Sequence, residues 1–147
     1  MHEFEALEDA VITALTPLLG AGLKTLEPYA GQMGVDELEA VTVRFPCIYV
    51  VAGTLNLESR NRYDGYAMSV TLIVGDRNVR GAEAATRGDS VSVGVYSLLE
   101  SARGYLHNKK ILSGWSPFVL RREDQVVFAP ETNICIYAAE YETKTVK

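Results

Sequence analysis

Residues 66–74, YAMSVTLIV, alternate without a break. Tyr66, Met68, Val70, Leu72 and Val74 fall on one side of an extended chain, and Ala67, Ser69, Thr71 and Ile73 fall on the other. A period of two is the signature of a strand with one face on a core, and a one-residue slip would turn that whole apolar set toward water. The chain must therefore supply neighbouring strands and a layer to cover the apolar face. Upstream, FPCIYVVAG at residues 45–53 is β-branched and aromatic and ends in glycine, as a central strand does, with Pro46 at its start where a missing donor is tolerable. Between the two runs, TLNLESRNRYD at residues 54–64 is too polar for a core and predicts an extended hairpin arm crossing from one strand to the other. A short strand is expected at residues 23–26, and three further β-like runs at 118–121, 125–128 and 133–141.

The covering layer is legible as two helices. In residues 4–19, Phe4, Leu7, Val11, Leu15 and Leu18 recur every three or four positions. Glu3, Glu5, Glu8 and Asp9 crowd the early turns, where a helix dipole favours negative charge. Pro17 lies near the end, and Gly20 with Gly22 supplies the stop. The second helix carries Val91, Val95, Leu98, Leu99, Ala102 and Leu106 on one stripe, with Asp89 or Ser90 as its expected cap and Asn108 as its stop. The acidic stretch VDELEAV at residues 35–41 fits a helical turn. Helix, strands, helix, strands predicts an α+β fold: a largely antiparallel, mixed sheet with two main helices packed on one face, in one domain spanning residues 1–147.

Composition removes several function classes. Fourteen basic against nineteen acidic side chains give a net charge of −5, a field that repels nucleic-acid phosphate. The start, MHEFEALEDA, is acidic where an export signal is basic, and no apolar run approaches the roughly 20 residues of a bilayer span, so neither export nor a membrane partner is expected. Cys47 and Cys135 are the only cysteines, each within an apolar β-like run and without metal-ligand spacing, which reads as two buried thiols in a reducing cytoplasm.

The loop after residues 66–74 resembles a phosphate cradle only superficially. Five residues separate Gly75 from Gly81, and Ala82 and Glu83 follow. A phosphate loop needs four residues there and then Lys with Ser or Thr, to supply charge and a magnesium ligand. A strand-to-helix connection is the better reading, with Arg77, Arg80 and Arg87 solvated or meeting a partner's carboxylates. Arg87, Gly88 and Asp89 spell a cell-adhesion tripeptide, but Asp89 has a structural use as a cap. Cys47 with His107 is the one nucleophile and base pairing to weigh, and a thiolate in mid-strand lacks the open, electropositive setting it needs. Trp115, Tyr105 and Phe118 form either an aromatic patch for a partner or the edge of the core. No catalytic, metal or cofactor site is expected.

Five segments together resemble the small tail proteins of Mu-like phages and prophages, a family similar to the tail-terminator (tail-completion) proteins of long-tailed bacteriophages. They are EFEALEDAVITAL at 3–15, FPCIYVVAG at 45–53, SVTLIVGDRNVRG at 69–81, GVYSLLESARGYL at 94–106 and ICIYAAEYET at 134–143. The resemblance implies a non-enzymatic subunit that closes into a ring, typically a hexamer, on the last ring of the tail tube. Such a ring ends polymerisation and presents a surface to a head-completion or neck protein, with the sheath protein as a further neighbour. It implies assembly in a bacterial cytoplasm and residence at the head-proximal end of a contractile tail. DNA would pass through the ring without specific binding, and roughly six times −5 of charge would help it slide. The candidate interface to a neighbouring subunit or the tube is Arg60, Arg62 and Tyr63 on the arm, with Arg77 and Arg80 on the loop. Two alternatives remain: a head-to-tail connector or minor tail subunit of the same fold, and a small cytosolic enzyme or ligand-binding module.

Overall fold

The computed structural model describes residues 2–29, 45–60, 63–77, 85, 87–88, 93–129 and 133–146. Helix α1 spans Glu3–Leu15, and a 3-10 turn, Thr16–Gly20, carries Pro17 where no helical donor is needed. The His2 ring accepts a hydrogen bond from the Phe4 N–H at the start of α1, and Glu3 and Glu5 sit in its first turn. Strand β1 (Thr25–Pro28) follows, then β2 (Cys47–Arg60) and β3 (Tyr63–Arg77). Helix α2 spans Val95–Leu106, and β4 (Val119–Ala129) and β5 (Ile134–Val146) complete the described elements.

The five strands form one open sheet in the order β1-β2-β3-β5-β4, with β1 parallel to β2 and every other pair antiparallel. The fold is therefore α+β with a mixed sheet, as the alternation of elements predicts. Met68, Val70, Leu72 and Val74 of β3 are buried beneath the helices with Leu7, Val11 and Leu15 of α1 and Leu98, Leu99, Ala102 and Leu106 of α2. Each of these valine, leucine and methionine side chains removed from water contributes about 1.5–3 kcal/mol. On the opposite face Cys47 and Tyr49 form a smaller buried cluster against Tyr29, Phe45 and Ile73.

Four boundaries differ from the sequence expectation. The short strand begins at Thr25 rather than Leu23, whose side chain is buried in the core. The second helix begins at Val95 with Gly94 as its N-cap, and a group of β3 holds that residue: the Asp76 carboxylate accepts from the Gly94 N–H at 3.0 Å. Gly94 has φ of 82°, and a Cβ there would lie 2.3 Å from the Gly88 backbone nitrogen, so only glycine fits. Asp89, Ser90 and the stretch 35–41 lie outside the described residues. Third, the runs at 118–121 and 125–128 are one strand, β4, because charged residues are tolerated at a sheet edge. Fourth, β5 continues past Tyr141 to Val146, where polar TKTV pairs with the arm.

Candidate assembly interface

The arm predicted between residues 54 and 64 is the far half of the β2–β3 hairpin. Its register runs from Thr54↔Ser69 to Arg60↔Tyr63. A bulge between Ala52 and Thr54 shifts the parity of β2, so that Leu55 and Leu57 stand opposite Met68 and Tyr66 on the helix-bearing face. Leu55 is half-buried there, but Leu57 is 65% exposed. The arm is no free finger, since β3 is bonded to β5 as far as Gly65↔Val146.

What distinguishes the arm is its outer edge. Strand β1 covers β2 only from Cys47 to Val50, and the Tyr29 N–H adds one bond to the Val50 carbonyl at 2.8 Å. The Ala52 N–H donates to the Glu8 carboxylate of α1 at 2.9 Å. There the cover stops. Because Leu55 and Leu57 share the β3 register parity of Ala52, their backbone groups also point away from β3, and among the described residues nothing meets them.

The opposite edge is covered where it begins. His107 accepts the Leu120 N–H at Nδ1, and the Phe118 N–H donates to the Lys109 carbonyl, so residues 107–109 run along the start of β4. Ser116 donates to and accepts from the end of β5 through Lys144 and Thr143, and the Gly114 carbonyl accepts the Thr145 hydroxyl. Beyond this cover β4 bulges at Arg121 and again at Val126. Its charges are paired. Arg103 of α2 binds Glu123, Arg121 reaches Glu142 at 2.8 Å, and Arg122 reaches Asp124 at 3.2 Å. The hydrogen bond from Arg121 also holds the Glu142 carboxyl below its usual pKa.

The five candidate residues do not converge. Arg60 and Tyr63 are register partners at the arm tip, while Arg77 is exposed at the other end of β3, ~45 Å away by strand rise. Arg62 and Arg80 lie outside the described residues. Sequence reasoning missed Glu8 and Leu57; the alternation of TLNL within a polar stretch was the available signal for Leu57, whereas nothing marked Glu8. The aromatic-patch reading is corrected, because Trp115 and Phe118 are buried and only Tyr105 is exposed.

The chemical alternatives lose their geometry. Cys47 lies on the sheet face opposite the helices, and burial pushes its thiol up to about 12, while the His107 ring is engaged with β4. Gly88 of the adhesion-like tripeptide packs against Gly94. Among the described residues no group of three or more metal-ligating side chains gathers, and no helix is long and apolar enough to cross a membrane.

An open sheet with one unfinished edge, two helices on one face and no assembled reaction centre among the described residues matches known proteins as follows. The family described as Bacteriophage Mu, Gp37 matches residues 3–146. The chain belongs to that family. No curated protein matches the chain. Twenty-three chains of solved structures match, among them one from the virion of a native gene transfer agent particle, with a TM-score of 0.57 and 11% identity over 96% of this chain and 95% of that one. At that identity the likeness is one of fold. Membership of the family supports a structural protein of a phage tail.

Proposed function

We propose that the protein is a tail terminator: a non-enzymatic virion subunit that caps the head-proximal end of a contractile phage tail as an oligomeric, hexameric ring. The ring ends tube polymerisation and offers a surface to the head-completion or neck protein, and DNA passes through it without specific binding. The observation that carries this reading is the outer edge of β2, which the described residues cover only as far as Ala52, in a member of the Mu Gp37 family. A solitary subunit gains nothing from an open edge, which invites unwanted pairing; a ring subunit uses such an edge against its neighbour.

In this reading residues 1–147 act as one domain, and the two ends of β3 do different work. Arg60 and Tyr63 at the arm tip, with Arg62 from the same stretch of sequence, reach the tail tube, where an arginine fork and a tyrosine anchor give the contact direction. Arg77, at the other end of β3, faces the sheath or neck side, and Arg80, three residues on in the sequence, is assigned to the same contact. The test is tube length. Tails assembled without the chain should overgrow and remain unjoined to heads, and adding it back should restore a uniform length. Tubes of the same controlled length in its absence overturn the proposal.

A further inference from the structure

The two lateral flanks of the sheet differ in charge as well as in backbone completion. Helix α1 runs antiparallel to β2, because Glu8 meets Ala52 while the chain after α1 returns to Thr25 opposite Cys47. Glu5, one turn before Glu8 on the same side of α1, therefore overhangs the open stretch of β2. Exposed Glu27 on β1 extends the same flank, on which Lys24 is the described cation. On the far flank Lys109 and Lys110 are both exposed and make no ion pair among the described residues. The bond between the Lys109 carbonyl and the Phe118 N–H fixes this pair on the outer side of β4, next to Arg121 and Arg122.

We propose that copies of this chain associate head to tail, the acidic, unfinished β2 flank of one copy seating against the basic flank at Lys109 and Lys110 of the next and covering Leu57. The inference rests on the ring reading above and specifies its contact. The two surfaces are different patches of one chain, so the contact is heterologous and each copy keeps one free flank until rotation closes the ring. A twofold pairing of two β2 edges would instead bring Glu5 and Glu8 of both copies together, which like charges oppose.

Charge reversal tests this on the full chain by sedimentation velocity. One variant carries Glu5→Lys with Glu27→Lys, which makes both flanks basic; the other carries Lys109→Glu with Lys110→Glu, which makes both acidic. All four side chains are exposed, and unchanged thermal unfolding checks the fold of each variant. Each variant alone should self-associate roughly tenfold or more weakly than the wild type, and an equimolar mixture should recover association, since every junction again joins opposite charges. Variants that associate like the wild type overturn the proposal, as do a mixture that stays dissociated and a wild-type chain that remains monomeric. The tube-length assay separates the two readings: loss of length control without the chain keeps the terminator reading standing even when this contact fails.

Discussion

The two outer edges of the sheet are built from similar material and finished differently. Strand β4 is wrapped at its start by residues 107–109, bulged twice, and cross-linked to β5 and α2 by ion pairs, and the end of β5 beyond it is sealed by residues 114–116. Among the described residues strand β2 is covered by β1 for four residues and by one carboxylate at Ala52, and nothing meets it beyond, beside an exposed leucine. Covers, bulges and charged side chains are the devices that keep a lone sheet from adding strands. Among the described residues β4 carries more of them than β2, which has one bulge and the Glu8 contact, and the uncovered stretch of β2 is the surface proposed for a partner.

Three perturbations probe the difference between the two edges. The largest is at the finished edge: Trp115→Ala removes the buried side chain that anchors the loop over β5 and should cost about 3–5 kcal/mol in urea unfolding. It should also speed amide exchange at Ser116 and Lys144, and a cost below about 1 kcal/mol would mean that this loop does not seal the edge.

The next tests the covered base of β2. The Cys47 thiol is raised by burial from 9.0 to about 12, so between those values the unfolded chain has lost a proton that the native chain keeps. The contribution of this group should therefore be constant below pH 9 and fall above it, by about 1.4 kcal/mol per pH unit. Tyr49, also raised to about 12 chiefly by burial, steepens the fall above pH 10. Cys47→Ala should flatten the curve between pH 9 and 10, and an unchanged slope would contradict the buried position of the thiol.

The smallest effect on the isolated chain belongs to the open edge. Leu57→Ser changes an exposed side chain and should move unfolding by no more than about 0.5 kcal/mol. It should nonetheless weaken self-association measured by light scattering. A stability loss of the size found for Trp115 would show that Leu57 is part of the fold instead.

How much of this was legible beforehand follows from where each signal lives. The face of β3 was readable because alternation is a local pattern imposed by the core. The stripe of α2 was readable for the same reason, but its start was not: the N-cap residue is held by Asp76, a group distant in sequence, and Gly94 is demanded by the approach of the Gly88 backbone. Strand β4 read as two runs because its middle, REDQ, answers to ion pairs with α2 and β5 and not to burial. For the interface, the arm was visible as a polar stretch between two strands. Its open edge was not, because openness depends on where β1 ends and where Glu8 reaches.

The backbone amides of Leu55 and Leu57 carry the central claim. Hydrogen exchange at these two positions, compared between the free chain and assembled tail particles, tests it most directly. The account predicts fast exchange in the free chain and marked slowing in the particle, with little change at residues 119–121, where β4 is already covered. Equal exchange at Leu55 and Leu57 in both states would contradict it.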